Sequence, residues 1–329
     1  MRLKRLGRSG LQVSELCLGA MTFGDGSGIS AEKDESRRIL DAYLDAGGNF
    51  VDTANNYAGG QSEQHLGEFL EGRRDDVVLA TKYTAPIRPG DVNSGGNHRK
   101  SLVLSLEQSL RRLRTDYVDL LWVHVWDFST PVEEIMRALD DQVRAGKVLH
   151  VGVSDVTAWA VARANTMAEL RGWTPFVGLQ IEYSLAERTV ERELVPMAAA
   201  LDLAVLAWGP LAGGLLTGKY AGGAGEGRLD EGDRRMTERN HAIAAAVGEV
   251  AEDAGAEPAQ VALAWLLAHQ GATVIPIVGA RSEEQLRGSL AAPGVELSPD
   301  HLARLDEASA IEMGFPHDFL RMLAQRYRR

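Results

Sequence analysis

Residues 101–124 read SLVLSLEQSLRRLRTDYVDLLWVH, and two periodicities meet inside them. In Ser101–Arg114 the leucines Leu102, Leu106, Leu110 and Leu113 recur at three- and four-residue spacing, which gathers them on one stripe of a helix. Val118–His124 is instead a short apolar run with the length of a strand. The same alternation repeats on either side. Short runs occur at Leu16–Leu18, Asn49–Thr53, Val77–Lys82, Val148–Ser154, Phe176–Gln180, Ala204–Trp208 and Thr273–Ile277, which with Val118–His124 makes eight. Between them lie amphipathic segments such as Glu133–Ala145, whose Ile135, Leu139 and Val143 share a face. Pro131 with Glu133 and Glu134 suits the start of that helix, and Gly146 its end.

Eight strand–helix alternations predict parallel strands with helical crossovers, and a closed (β/α)8 TIM barrel is the simplest such α/β arrangement. A doubly wound sheet is the competitor. It needs a Gly-rich turn after an early strand, and Gly24-Asp25-Gly26-Ser27-Gly28 does not have the G-x-G-x-x-G form. Three segments fall outside the repeat. Residues 1–13 read as a β-hairpin about Gly7–Gly10, placed at the barrel floor. Residues 221–236 read as a mobile Gly- and charge-rich loop containing Ala221–Gly227, and from Ile311 a C-terminal extension carries Phe315, Pro316 and Phe319. Composition does not change along the chain, so 1–329 is expected to form one domain.

A net charge of −11 disfavours a nucleic-acid partner, because phosphate binding over a surface needs a basic footprint. It leaves room for a small anionic ligand held by a local set of donors. The one cysteine, Cys17, forms no intrachain disulfide and fits a reducing compartment. The start, Met1–Gly10, makes a poor signal peptide, and no apolar run reaches about 18 residues, so a cytoplasmic chain without a membrane span is expected.

Barrel enzymes carry their chemistry on the C-terminal ends of the strands. The second run ends on Asp52 with Tyr57 shortly after it, the third on Lys82 and the fourth on His124. A tyrosine hydroxyl is a poor acid at neutral pH, and a nearby ammonium lowers its pKa. Lys82 supplies that charge, Asp52 holds Lys82, and His124 is placed to hydrogen-bond a reacting oxygen. Taken singly, each has an ordinary explanation: a surface loop aromatic, a cap, a solvated lysine, a packed histidine. Their joint placement on consecutive strand ends is what points to a site. No metal-ligand cluster and no serine or cysteine nucleophile accompanies them, and a proton donor of this kind calls for an external electron source, which a hydride cofactor fits.

Further motifs carry a resemblance. They are Asn49–Ala54 with Tyr57, Ser62-Glu63 and Leu66-Gly67; Asp116–Leu121 leading to His124; Gly152-Val153-Ser154; Gln180–Ser184; Trp208–Tyr220; and Ile275–Arg281 with Glu284-Gln285-Leu286. In this order, over about residues 1–310, the chain resembles the aldo-keto reductase superfamily, near the bacterial aryl-alcohol dehydrogenase-like and potassium-channel β-subunit-like branch. The resemblance implies Tyr57 as general acid, Lys82 tuning it, Asp52 fixing Lys82 and His124 orienting a carbonyl. It implies Ser154, Asp155 and Gln180 on the nicotinamide amide, and Trp208 stacked on the ring. Leu211, Gly213 and Lys219 would face the phosphates, and Gly279, Arg281 and Gln285 the adenosine end. Arg228, Arg234 and Arg235 are further candidates on the loop. NADPH is the implied cofactor, ahead of NADH. Asp155, Gly209 and Gly288-Ser289 depart from the common pattern of Asn, Ser and Glu-Asn, which weakens the cofactor grip.

The expected reaction is NADPH-dependent reduction of an aldehyde or ketone. Met21, Phe23, Tyr83, Trp126 and Phe128 are expected to line the mouth and favour a bulky carbonyl substrate. Alternatives are a ketoreductase acting on a nucleotide-linked deoxysugar, a cofactor-binding regulatory subunit without turnover, and an isomerase or lyase using Lys82 as a Schiff base. The oligomeric state is not readable from the sequence.

Overall fold

The chain opens with an antiparallel hairpin, β1 (Leu3–Arg5) and β2 (Gln12–Ser14), and continues into eight parallel strands. These are β3 (Cys17–Gly19), β4 (Phe50–Asp52), β5 (Val78–Tyr83), β6 (Val118–Val123), β7 (Val148–Ser154), β8 (Phe176–Glu182), β9 (Ala204–Trp208) and β10 (Val274–Val278). Each pairs with the next, and β10 pairs back onto β3, so the barrel closes. The structure is a computed structural model that describes residues 1–25, 30–88, 90–220, 229–230, 232–269 and 271–327. Residues 26–28 of the first glycine-rich piece, residues 221–227 and Arg228 lie outside the described residues.

Helices follow the strands around the outside. They are α1 (Lys33–Asp45), α2 (Gln61–Phe69), α3 (Arg99–Leu113), α4 (Val132–Arg144), α5 (Ala158–Arg171), α6 (Leu194–Ala200), α7 (Glu238–Ala254), α8 (Pro258–Leu267), α9 (Glu283–Leu290), α10 (Pro299–Ala308) and α11 (His317–Tyr327). The expected stripe of Leu102, Leu106, Leu110 and Leu113 is buried on α3. Pro131 stands at the start of α4 as expected: it caps the helix, which begins at Val132, one residue before the expected segment. Proline suits that place, since its missing N–H would go unused there. Every expected strand is present, with its ends moved by two residues at most. No helix among the described residues is long and apolar enough to cross a membrane.

Apolar residues divide between a shell, where helices meet strands, and the barrel interior. The interior holds Phe50, Val78, Leu120, Val177 and Leu206, and the hairpin adds Leu6 and Val13 from below. Gly7 makes this plug possible: its φ is +53°, and a Cβ there would lie 2.2 Å from the Val177 carbonyl oxygen. Higher up, the interior is filled by the Trp122 indole, which occupies space left by two glycines. A Cβ on Gly152 would lie 2.3 Å from Trp122 Cζ3, and one on Gly178 2.9 Å from its Cη2. One large ring from β6 thus replaces side chains from β7 and β8, and forms the layer beside Lys82, its register partner on β5.

Candidate active site

Side chains along a strand alternate between its two faces. Lys82 points inward like its partner Trp122, so its neighbours Thr81 and Tyr83 face the helices. Inside the barrel Lys82 is fully buried and pairs with Asp52 from β4, and its Nζ also donates to the Thr53 carbonyl at 2.8 Å. The second Asp52 oxygen, Oδ1, accepts from Gln180 Nε2 at 3.1 Å. Both carboxylate oxygens therefore have partners. Tyr57, in the turn after β4, lays its ring 4.7 Å from Lys82 Nζ. His124 follows the end of β6 and is held by its own N–H donating to the Tyr83 carbonyl at 3.1 Å. Its ring meets that of Tyr57 edge-on, with centroids 5.9 Å apart. The four strand-end residues, scattered over 73 positions of sequence, share one mouth.

The electrostatics sharpen their roles. Burial pushes the Lys82 ammonium down, but the Asp52 carboxylate and the Tyr57 oxygen together outweigh it, so its pKa is raised and the group stays charged. Burial pushes the Tyr57 phenol up, and the Lys82 charge opposes this without reversing it, so the hydroxyl keeps its proton. The tuning expected of Lys82 acts in the right direction but is the smaller effect. Burial, helped by the Lys82 charge, pushes His124 down to about 3, so it is a neutral imidazole at physiological pH. A neutral ring can donate one hydrogen bond without competing for the proton that Tyr57 holds.

Around this centre lie the residues expected to meet a cofactor. Ser154 is buried at the end of β7, and Gln180 is buried two residues before the end of β8. Asp155 adopts φ +43°, a conformation that aspartate tolerates, and its Oδ1 accepts from Trp208 Nε1 at 3.1 Å. This bond fixes the plane of a partly exposed indole at the mouth. After β9 the backbone turns through Gly209, Gly213 and Gly214, all at positive φ. A Cβ on Gly213 would lie 2.7 Å from Arg235 Nη1, and one on Gly214 2.7 Å from Lys219 Nζ. Two cations thus abut bare glycine backbone, a donor set whose chemistry fits a pyrophosphate. Leu211 begins this turn. Arg234 is engaged by Glu182 at 2.7 Å, and Arg235 donates from Nε and Nη2 to Asp233 at 2.7 and 2.6 Å, with its Nη1 toward Gly213. Gly279 is exposed beyond β10, and the Arg281 N–H donates to Gln285 Oε1 at 3.0 Å.

The expected substrate pocket divides. Met21 and Phe128 are exposed on loops after β3 and β6. Phe23, Tyr83 and Trp126 are buried among the shell residues where helices meet strands. For Tyr83 the reason is the alternation: with Lys82 inward its ring must point to the helices, where its hydroxyl donates to the Asn97 carbonyl at 3.3 Å. That signal was present in the sequence. The Asp155–Trp208 bond and the approach of Arg235 to Gly213 had no such signal. A charged groove of about 660 Å³ lined by Arg37, Asp41, Glu68 and Arg73 lies outside the barrel between α1 and α2, away from these groups.

Residues 15–310 match the aldo/keto reductase family. The norsolorinic acid reductase stcV of Emericella nidulans is 43% identical over 326 residues, covering 95% of this chain and 82% of that protein. The aryl-alcohol dehydrogenase [NADP(+)] of Phanerodontia chrysosporium is 38% identical over 333 residues, covering 94% and 86%. An aryl-alcohol dehydrogenase of Pestalotiopsis microspora is 37% identical over 324 residues, covering 94% and 82%. The chain belongs to the aldo/keto reductase family and is an oxidoreductase of that family.

Proposed function

We propose that this protein reduces an aromatic aldehyde or ketone to the alcohol with NADPH, and that Tyr57 is the general acid. The observation that carries this reading is the dry Asp52–Lys82 pair under the Tyr57 ring, with a neutral His124 beside it. NADPH, when bound, supplies the hydride to the carbonyl carbon. The Tyr57 hydroxyl gives its proton to the carbonyl oxygen, and the Lys82 ammonium stabilises the phenolate that results. Asp52 keeps Lys82 charged and aimed, and His124 donates to the same carbonyl oxygen and orients it. Ser154, Asp155 and Gln180 would hold the nicotinamide amide, with Trp208 against the ring. Leu211, Gly213 and Lys219, joined by Arg235, would receive the phosphates, and Gly279, Arg281 and Gln285 the adenosine end.

The preference for an aryl carbonyl draws on the names of the aryl-alcohol dehydrogenase relatives and on the exposed Met21 and Phe128 beside the opening. The test is a panel of aryl and alkyl carbonyls followed by the loss of reduced-nicotinamide absorbance, with NADPH and NADH in parallel. Tyr57→Phe is expected to abolish reduction while leaving NADPH binding within about twofold of wild type. Turnover retained in that variant sinks the assignment of the acid.

A further inference from the structure

The segment that carries Tyr57 is held by a clasp on the outer face of the barrel. Glu63, in the first turn of α2, is completely buried. Its Oε1 accepts from the Thr81 hydroxyl at 2.7 Å, and Thr81 immediately precedes Lys82 on β5. Its Oε2 accepts from Arg112 Nη1 of α3 at 3.2 Å. The same Nη1 donates to the Asn55 carbonyl at 2.8 Å, two residues before Tyr57. The Asn55 side chain donates to Ser105 Oγ of α3 at 2.8 Å and to the Ala85 carbonyl at 3.1 Å, and the Asn55 N–H donates to the Lys82 carbonyl at 3.3 Å.

The turn held this way is strained at Ala58. Ala58, Gly59 and Gly60 all have positive φ, at 47°, 64° and 97°. Such backbone persists when its surroundings over-determine it. Gly60 also makes room for the clasp, since a Cβ there would lie 2.3 Å from Arg112 Cζ. Arg112 does not face the mouth. It reaches the reacting tyrosine through one carbonyl, and reaches Lys82 through Glu63 and Thr81.

Resting on the reading of Tyr57 as the acid, we propose that Arg112, with Glu63 behind it, is a positioning residue. It sets the turn so that the Tyr57 hydroxyl and Lys82 Nζ keep the spacing that proton delivery needs. A planar guanidinium reaches two acceptors at once in fixed geometry, which an ammonium does less well.

The experiment uses Arg112→Met, Arg112→Lys and the double variant Arg112→Met/Glu63→Gln. The last removes both charges, so no carboxylate is left buried alone. Rates are expressed per NADPH-binding site, so misfolded protein does not count. Arg112→Met and the double variant are expected to lose about 10- to 100-fold in kcat, as a displaced reacting group would. KM and the NADPH Kd should stay within about twofold, and the solvent deuterium isotope effect on kcat should rise as proton delivery becomes limiting. Arg112→Lys should recover part of kcat. A kcat within about twofold of wild type in both Met variants overturns the proposal, as does loss of NADPH binding in both, which would assign Arg112 to the fold. Tyr57→Phe run beside them separates the two readings. If it stays active, the acid is wrong and the clasp falls with it. If it is inactive while the Met variants are normal, only the clasp is wrong.

Discussion

Lys82 and Asp52 face each other inside the barrel with 0% and 4% of their side chains accessible to solvent. A pair this dry is a weak source of net stability, because desolvating both charges offsets most of their attraction. Breaking it is another matter, since one charge is then left alone. Asp52→Asn is expected to lower the unfolding free energy by about 3 to 5 kcal/mol, read from urea denaturation. Replacing both members, as Asp52→Leu/Lys82→Met, should restore most of that stability while turnover stays lost. A fully stable Asp52→Asn protein would mean that the charge on Lys82 is not held by this carboxylate.

His124 carries a pH signature. Its pKa is near 3 in the folded chain and returns to its ordinary 6.5 on unfolding. Between those values the unfolded chain binds a proton that the folded chain refuses, so stability falls as pH drops through this window. The slope is at most about 1.4 kcal/mol per pH unit. Urea midpoints measured from neutral to acid pH should fall more steeply for wild type than for His124→Asn. Turnover should show no inflection near pH 6.5, because His124 is already neutral there. An inflection that disappears in His124→Asn would overturn the assignment of a neutral imidazole.

Asp155 accepts from Trp208 Nε1, and burial, with the Glu182 charge adding to it, raises its pKa against the pull of that bond. An ionised carboxylate offers no donor to a carboxamide. Asp155→Asn keeps the acceptor for Trp208 and adds an N–H pair. NADPH should then bind about 3- to 10-fold tighter, the worth of one net hydrogen bond, seen by quenching of protein fluorescence. Asp155→Leu, which frees the indole, should bind more weakly than wild type. Affinity unchanged in the Asn variant would show that the amide does not sit against this side chain.

Much of this is legible in the sequence. Apolar runs of strand length and leucine stripes of helix spacing report local hydrogen bonding and one-sided burial, which depend on neighbours a few residues away. That is why the eight strands, the α3 stripe and the floor hairpin could be read directly. Alternation along β5 also contained the outward turn of Tyr83, although its place next to Lys82 suggested the mouth.

What the sequence by itself determined is the barrel and the strand ends that bear Asp52, Lys82 and His124, because strand register and strand order follow from local pattern and parallel crossovers. What only the tertiary structure decided is how these groups are packed and held. The filling of the Gly152 and Gly178 space by Trp122, the bond between Asp155 and Trp208 across 53 residues, and the reach of Arg112 to Asn55 across 57 exist only after the barrel has closed. Each depends on distances of a few tenths of an ångström between side chains from different strands and helices, and no periodicity encodes those. The same closure shuts water away from Lys82 and makes its pairing with Asp52 consequential.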